Sequence, residues 1–253
     1  MAKKIKNKGQ ITIFIIVAII LVAIALFFIF YSKIKPASIN PLNVQDYIDS
    51  CMKTSGQEAI NLVEERGGYL NPGNYILYKN KTIGYTCYNK NYYQTCIMQT
   101  PNLIGFEAEQ IRGYSLSKIN SCFDSLKIDL EKRNYRAIMQ EGNFSVELSP
   151  GKVILEDNRK MTITKNEQTL NYGNFQAVIP SRLYEFADIA QEISNQEAKF
   201  CNFEYLGYMI LYNSWIIDKD ELNGQNKIYT IKDKNTQEEF RFAVRSCALP
   251  AGM

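Results

Sequence analysis

The catalytic chemistry open to this sequence is limited first by the lack of histidine. None of the 253 residues is a histidine. Catalytic pairs of the Ser-His or Cys-His type are therefore excluded, as are metal sites built on imidazole. A Ser-Lys dyad and a pair of carboxylates are the catalytic arrangements that the composition leaves open.

Two local patterns could provide such groups. Ser115 and Lys118 have Ser-x-x-Lys spacing, which places a hydroxyl and an amine on one side of a predicted helix. The supporting motifs of the β-lactamase class are absent, so a solvated helix face is the simpler interpretation. Asp218, Asp220 and Glu221 lack the spacing of a calcium loop, which favours an exposed turn. The sequence therefore predicts no catalytic, cofactor-binding or metal-ligating residue, and a protein that is not an enzyme.

Tyrosine is the residue type whose clustering suggests a binding surface. The chain has 17 tyrosines, and several fall close together: Tyr69, Tyr75, Tyr78, Tyr85, Tyr88, Tyr92 and Tyr93. Tyrosine is enriched on faces that bind proteins or glycans. It also has a high propensity for half-buried strands, and this is the simpler interpretation of the cluster.

The six cysteines predict disulfides rather than a metal site. They contain no C-x-x-C pair, so the common zinc spacings are missing. All six follow an apolar N-terminal segment, and an even number on the outer side of a membrane favours three disulfides. The preferred pairs are Cys87–Cys96 across a hairpin, Cys51–Cys122 between two helices, and Cys201–Cys247 near the C-terminus.

Other surface signals agree with an extracellular domain. Asn80 and Asn143 each begin an Asn-x-Ser/Thr triplet, which makes them candidate glycosylation sites. The net charge is +3, and the lysines that precede the apolar segment supply more than that: Lys3, Lys4, Lys6 and Lys8. The rest of the chain has no global basic field, so nucleic acid is not an expected partner.

The apolar segment itself is predicted to be a single N-terminal transmembrane helix over residues 10–32. No charged residue occurs from Gly9 to Ser32. About 20 apolar residues are enough to cross a hydrocarbon core, and in lipid a helix satisfies its own backbone. The lysines before the segment place the N-terminus in the cytoplasm and the following domain outside. Because no small-x-small site follows, an anchor fits better than a cleaved secretory signal.

A proline-containing linker, residues 33–42, should lead into an α+β domain over residues 43–253. Helices are predicted from Asn43 to Gly67-Gly68, from Gly105 to Arg133, and after Ser181. Strand-like runs cover 75–78, 82–88, 92–98, 144–148, 153–156, 161–164, 176–179, 215–218, 227–232 and 239–245. We expect helices packed on mainly antiparallel sheet, with 144–164 as a meander. Two subdomains, 43–133 and 134–253, are compatible with this pattern.

The junction before the apolar segment, Lys8-Gly9-Gln10-Ile11-Thr12-Ile13, resembles the class III signal peptide of archaeal type IV pilin-like proteins. The resemblance implies a basic leader, residues 1–9, that a prepilin-type peptidase removes on the cytoplasmic face. Gly9 and Gln10 would flank the cut, and Thr12 fills the Ser/Thr position. Filament-forming relatives usually carry Glu four residues after the Gln, where this chain has Phe14. The helix would remain as an anchor.

The sequence thus favours a membrane-anchored cell-surface protein with an adhesive, envelope or pilus-associated structural role. Its expected partners are membrane lipid, a prepilin-type peptidase and other cell-surface proteins. The alternative is a membrane-anchored extracellular enzyme or solute-binding receptor. That alternative requires a deep pocket with convergent polar groups, whereas an adhesin or scaffold needs none.

Processing of the leader gives the first testable prediction. The native protein should begin at Gln10, because Gly9 and Gln10 occupy the cleavage positions of the class III pattern. Mass mapping of the mature N-terminus measures this directly. A Gly9→Lys variant should stay uncleaved, whereas Phe14→Glu, the control, should be cleaved normally. A native chain that starts at Met1 or Ala2 would show that the segment is a plain signal anchor.

Overall fold

The computed structural model describes residues 16, 19–22, 43–222 and 225–250. The chain divides into two units, Met1–Asn40 and Pro41–Met253. In the first unit, Ile16 and residues 19–22 are helical. The leader, the cleavage positions Gly9, Gln10 and Thr12, most of the predicted membrane helix and the linker 33–42 lie outside the described residues. Within the described residues, no helix is long and apolar enough to cross a membrane.

Four helices are described in the second unit: α1 (Val44–Glu65), α2 (Leu103–Lys132), α3 (Leu183–Phe200) and α4 (Tyr205–Leu211). The first three confirm the sequence prediction. Helix α1 ends before Gly67 and Gly68, which adopt φ values of +72° and +91° that favour glycine. Asn102 caps α2, since its side-chain oxygen accepts a hydrogen bond from Gly105 N at 3.1 Å. Helix α4 was not predicted.

Twelve strands are described: β1 (Tyr75–Tyr78), β2 (Lys81–Tyr88), β3 (Ile97–Met98), β4 (Arg136–Gln140), β5 (Phe144–Ser149), β6 (Lys152–Asp157), β7 (Lys160–Lys165), β8 (Gln168–Tyr172), β9 (Phe175–Pro180), β10 (Trp215–Leu222), β11 (Asn226–Asp233) and β12 (Glu239–Arg245). They form a six-stranded sheet of order β1-β2-β12-β11-β10, with β3 beside β2, and two three-stranded sheets, β4-β7-β8 and β5-β6-β9. All neighbours are antiparallel except β2 and β12. The predicted α+β class is confirmed.

Three features of the strand prediction were wrong. Strand β3 is two residues long, so only the end of the predicted 92–98 strand pairs with β2. Strands β4 and β8 were missed. The predicted meander is interrupted, because β6 pairs with β5 and β9 whereas β7 pairs with β4 and β8. Since β2 and β12 share one sheet, the two predicted subdomains are joined, and residues 41–253 cluster as one compact unit.

Helices α1 and α3 supply the core side chains that their periodicity predicts. Val44, Ile48, Ser55, Ala59 and Val63 of α1 are buried, against α2 and β9. The backbone of α1 approaches β9 closely at Gly56, where an added Cβ would lie 2.6 Å from Ile179 Cδ1. In α3 the apolar residues that recur at helical spacing are all buried: Leu183, Phe186, Ile189, Ala190 and Ile193.

Three disulfides join the elements, and they are the pairs preferred from the sequence. Cys51–Cys122 links α1 to α2 with a Cα–Cα distance of 6.7 Å. Cys87–Cys96 closes the loop between β2 and β3 at 5.4 Å. Cys201–Cys247 connects the end of α3 to the segment after β12 at 5.7 Å. The first bridge therefore joins two helices within their length, and the other two fasten a loop or a helix end to a neighbouring element.

Loop length predicts how much each disulfide stabilises the fold. Cys51–Cys122 spans 71 residues and Cys87–Cys96 only 9. Loop-closure entropy then gives about 4 kcal/mol for the first bridge and about 3 kcal/mol for the second. Replacing each pair with alanines and measuring the free energy of unfolding in urea should reproduce this order. A larger loss from the Cys87–Cys96 pair would contradict the entropic ranking.

Candidate functional site

Six of the clustered tyrosines lie on β1, on β2 and in the loop before β3, whereas Tyr69 lies between α1 and β1. Tyr75, Tyr92 and Tyr93 are exposed, with 51%, 48% and 58% of their surface accessible. Tyr85 is buried, and the remaining members are half-buried: Tyr69, Tyr78 and Tyr88. Part of the cluster therefore fills the sheet, as the simpler interpretation expects, and part of it is displayed to solvent.

Two arginines of β12 lie against the rings of this cluster. The guanidinium carbon of Arg245 is 5.9 Å from the centre of the Tyr88 ring and 5.5 Å from that of Tyr92. Arg241 lies 5.9 Å from the Tyr78 ring. These separations are within the range of cation–π attraction. We call Tyr78, Tyr88, Tyr92, Arg241 and Arg245 the tyrosine–arginine face.

A small apolar cluster supports this face from beneath. Ile83, Tyr85, Ile228 and Ala243 are buried together, and half-buried hydrophobic residues pack on them: Ile76, Tyr78, Tyr88 and Leu222. The Tyr85 hydroxyl donates a hydrogen bond to Asn226 Oδ1 at 2.7 Å. Burial, with the neighbouring Tyr88, raises the pKa of Tyr85 to about 12, so its hydroxyl stays a donor. The rings above are therefore held on a rigid base.

The acidic residues predicted to form a turn lie instead in strand β10, and each has a partner. Asp218 accepts from Lys232 at 3.0 Å, and the Asp220 carboxylate accepts from the Tyr78 hydroxyl. Glu221 pairs with Lys219 at 3.2 Å. In the ranges 43–222 and 225–250, no group of three or more acidic or cysteine side chains could hold a metal ion. The acidic cluster is part of the sheet surface.

The Ser-x-x-Lys pair is present on α2, but its two groups are directed to different surroundings. Lys118 Nζ donates to the Tyr114 hydroxyl at 2.9 Å and to the Glu58 carboxylate on α1. The hydrogen bond that Lys118 donates to Glu58 raises the pKa of Lys118, so the amine stays charged and is not a base. Ser115 Oγ is buried and has no hydrogen-bond partner in the described part of the chain. The pair therefore does not form a catalytic dyad.

The two glycosylation candidates are accessible. Asn80 lies in the turn between β1 and β2, and Asn143 directly precedes β5. Both side chains are exposed. The positions therefore present no steric obstacle to a surface modification.

A pair of buried carboxylates was missed by sequence reasoning. Glu107 on α2 is completely buried, and neither of its carboxylate oxygens has a hydrogen-bond partner among the described residues. Glu64, in the last turn of α1, is 9% exposed, and its Oε1 is likewise unpartnered there. Burial, together with nearby carboxylates, raises the pKa of Glu64 to about 8; these carboxylates are Glu238, Glu239 and Glu65. Burial, with Glu64 close by, raises the pKa of Glu107 well above its usual value.

A signal for this pair was present in the sequence. Leu103, Glu107, Ile111, Ser115 and Ile119 recur every four residues and are all buried on one stripe of α2. A charged residue at a buried helical position identifies a group that must be paired or neutral. The Gly68 backbone lies close by, since a Cβ there would be 3.0 Å from Glu107 Oε1.

Comparison with known proteins gives no relative from which a function could be transferred. The chain matches no family model, no curated protein and no solved structure. The fold and the site therefore define only a class: an α+β, disulfide-bonded domain with an aromatic and cationic sheet face. Its function must be argued from its own residues.

The buried carboxylates predict an unusual dependence of stability on pH. A carboxyl group whose pKa is raised by folding holds a proton that the unfolded chain releases, so stability falls as pH rises from about 4.5 to about 8. The slope is at most about 1.4 kcal/mol per pH unit for each group. Urea unfolding of the protein in detergent, at a series of pH values, measures it.

Single Glu64→Gln and Glu107→Gln variants should each flatten this slope and gain stability at pH 8. Glu109→Gln is the matched control, because Glu109 is exposed and pairs with Arg112. It should keep the wild-type slope. If the unfolding free energy of all three variants changed with pH as it does in the wild type, the buried carboxyl groups would have ordinary pKa values.

Proposed function

We propose that this protein is a non-enzymatic, membrane-anchored cell-surface protein. Residues 10–32 hold it in the membrane, and the domain from residue 43 onward lies outside the cell. The observation that carries the proposal is the set of three disulfides formed by cysteines that all follow the apolar segment. Disulfides persist in oxidising compartments and are rare in the cytoplasm.

The anchor in this proposal is of the archaeal pilin-like type. A prepilin-type peptidase removes residues 1–9 on the cytoplasmic side and leaves the helix in the bilayer. Because Phe14 replaces the carboxylate found in filament-forming relatives, the protein remains in the membrane and displays its domain there. The prolines at positions 36 and 41 support retention in the membrane, because they prevent one continuous helix from the membrane segment to the domain.

The tyrosine–arginine face is the surface we assign to contact with another cell-surface protein. Tyrosine and arginine are the residues most enriched in the energetic centres of protein interfaces. The Cys87–Cys96 bridge closes the loop that carries Tyr92, and Arg245 donates to the backbone oxygen of Asn89 in the same loop. A face that is already ordered loses little entropy on binding. The proposed role is therefore adhesion or cohesion of the cell envelope.

The groups that could have supported an enzyme have structural partners instead. Lys118 is bound to Glu58 and Tyr114, and the acidic residues of β10 are paired with lysines or with Tyr78. This supports the choice of a binding role over the alternative of an anchored extracellular enzyme or receptor.

An adhesion assay on intact cells tests the proposal. Protease added outside should remove the domain from residue 43 onward and abolish protein-dependent adhesion. A Tyr92→Ser, Arg245→Gln double variant should weaken adhesion at least tenfold, or about 1.4 kcal/mol, because two central interface side chains are lost. Tyr75→Ser, exposed on strand β1 and outside the tyrosine–arginine face, is the matched control.

The control should adhere like the wild type at equal protein level. Full protection of the domain from protease would contradict the extracellular orientation. Normal adhesion of the double variant would contradict the assigned face while leaving the orientation intact.

A further inference from the structure

Helix α4 exposes an apolar surface that folding of the domain leaves uncovered. Its seven residues, Tyr205–Leu211, include no charged side chain. Leu206, Ile210 and Leu211 are 56%, 80% and 79% exposed. Tyr212, directly after the helix, and Phe200, the last residue of α3, are 53% and 63% exposed. We call these five residues the α4 patch.

The patch is held in place by the opposite side of the same helix. Tyr208 packs its ring 5.5 Å from Phe203 and 4.6 Å from Tyr212. Met209 Sδ accepts a hydrogen bond from Ile217 N on strand β10 at 3.1 Å. Glu204 caps the first turn by accepting from Gly207 N at 3.3 Å. Helix α4 is therefore fixed to the domain, and its outward side chains cannot enter the core.

The chemistry of the patch and its rim matches a lipid surface. Its centre is aliphatic, and aromatic side chains lie at its ends. Lys199, which is exposed, lies 5.0 Å above the Phe200 ring, whereas Lys219, 5.5 Å above the Tyr205 ring, is largely buried and pairs with Glu221. Aliphatic centres with aromatic residues and long basic side chains at the margin are typical of segments at the boundary of headgroups and acyl chains. The rim also carries the Glu204 carboxylate, which is engaged as the helix cap.

The length of the tether favours the membrane over a second copy of the chain. Linker 33–42 is ten residues long and spans at most about 35 Å when fully extended. Compact domains of about 200 residues have a radius of gyration near 17 Å, so such a tether keeps the domain within about one domain diameter of the bilayer. A tethered surface meets the bilayer at high effective concentration, whereas a second copy must be encountered.

We propose that the α4 patch docks on the outer leaflet of the membrane that holds the N-terminal helix. This proposal rests on the proposed function, because it uses the anchor to bring the domain to the bilayer. Leu206, Ile210 and Leu211 enter the acyl boundary, and the rings of Phe200 and Tyr212 lie at headgroup level. The domain is then oriented on the membrane rather than free to rotate on its linker.

The single tryptophan provides an intrinsic reporter for this contact. Trp215 begins β10 directly after α4, and its backbone N–H donates to the Tyr212 carbonyl at 3.2 Å. The full chain is reconstituted into vesicles of phosphatidylcholine and phosphatidylglycerol, with or without bromine on the acyl chains near the headgroups. Shallow insertion of α4 should lower Trp215 fluorescence by roughly half in the brominated vesicles.

A triple variant, Leu206→Ser, Ile210→Ser and Leu211→Ser, should remove this quenching. The matched control is Leu77→Ser with Ile97→Ser, whose side chains are 67% and 68% exposed on strands β1 and β3. The control should be quenched like the wild type. Circular dichroism of each variant confirms that the fold is retained, which is expected because the replaced side chains are exposed.

Flotation of the vesicles separates failure of this inference from failure of the proposed function. Protein that does not float with the lipid overturns the anchor and the docking together. Protein that floats but shows no quenching, or a triple variant quenched like the wild type, overturns the docking alone. Dimers that increase with the protein-to-lipid ratio, without quenching, would assign the patch to a second copy and also overturn it.

Discussion

The buried carboxylate of Glu197 connects the helical layer of the domain to its largest sheet. Lys227 on β11 donates to both Glu197 oxygens, at 2.9 and 2.7 Å, and Tyr229 donates to one of them. Lys227 also donates to the Cys201 carbonyl at 2.6 Å. A buried ion pair is tolerated only when its remaining polar atoms are satisfied, and here they are. Two surfaces depend on this contact: β12, which carries Arg245, lies beside β11, and α4 begins four residues after Cys201.

Two kinds of buried carboxylate therefore coexist in one domain. Glu197 is surrounded by donors, whereas Glu107 and Glu64 Oε1 lack donors among the described residues, and the raised pKa values of Glu64 and Glu107 keep these two groups protonated at neutral pH. The difference follows from position. Glu197 lies opposite strand β11, which supplies a lysine and a tyrosine as donors. The junction of α1 and α2 is thus the part of the fold in which proton uptake and packing are coupled.

The spacing of apolar residues predicted helices and short-range features of this fold. It did not predict which strands pair when they are far apart in the sequence. The spacing of apolar residues located α1 and α3, and the three cysteine pairs followed from the elements they connect. The parallel pairing of β2 with β12 joins strands more than 150 residues apart, which no local pattern encodes. Strand β8 was missed because nearly all its residues are exposed and polar. Burial of Glu107 was not predicted, because a single carboxylate within a long helix usually faces solvent. Its four-residue spacing from Leu103 and Ile111 does place it on the buried side of α2.

Helix α4 also covers part of an exposed edge of the six-stranded sheet, and only its inward side chains are needed for this. Strand β10 is at one edge of the six-stranded sheet, where unpaired N–H groups invite association with other strands. Met209 covers one of these groups, Ile217 N, and Tyr208 completes the inner contact. Both functions belong to the inward side of the helix. Charged residues at positions 206, 210 and 211 would cover the edge equally well and would be better solvated. The apolar side chains found there are not explained by folding, so their chemistry is evidence for contact with a surface outside the domain.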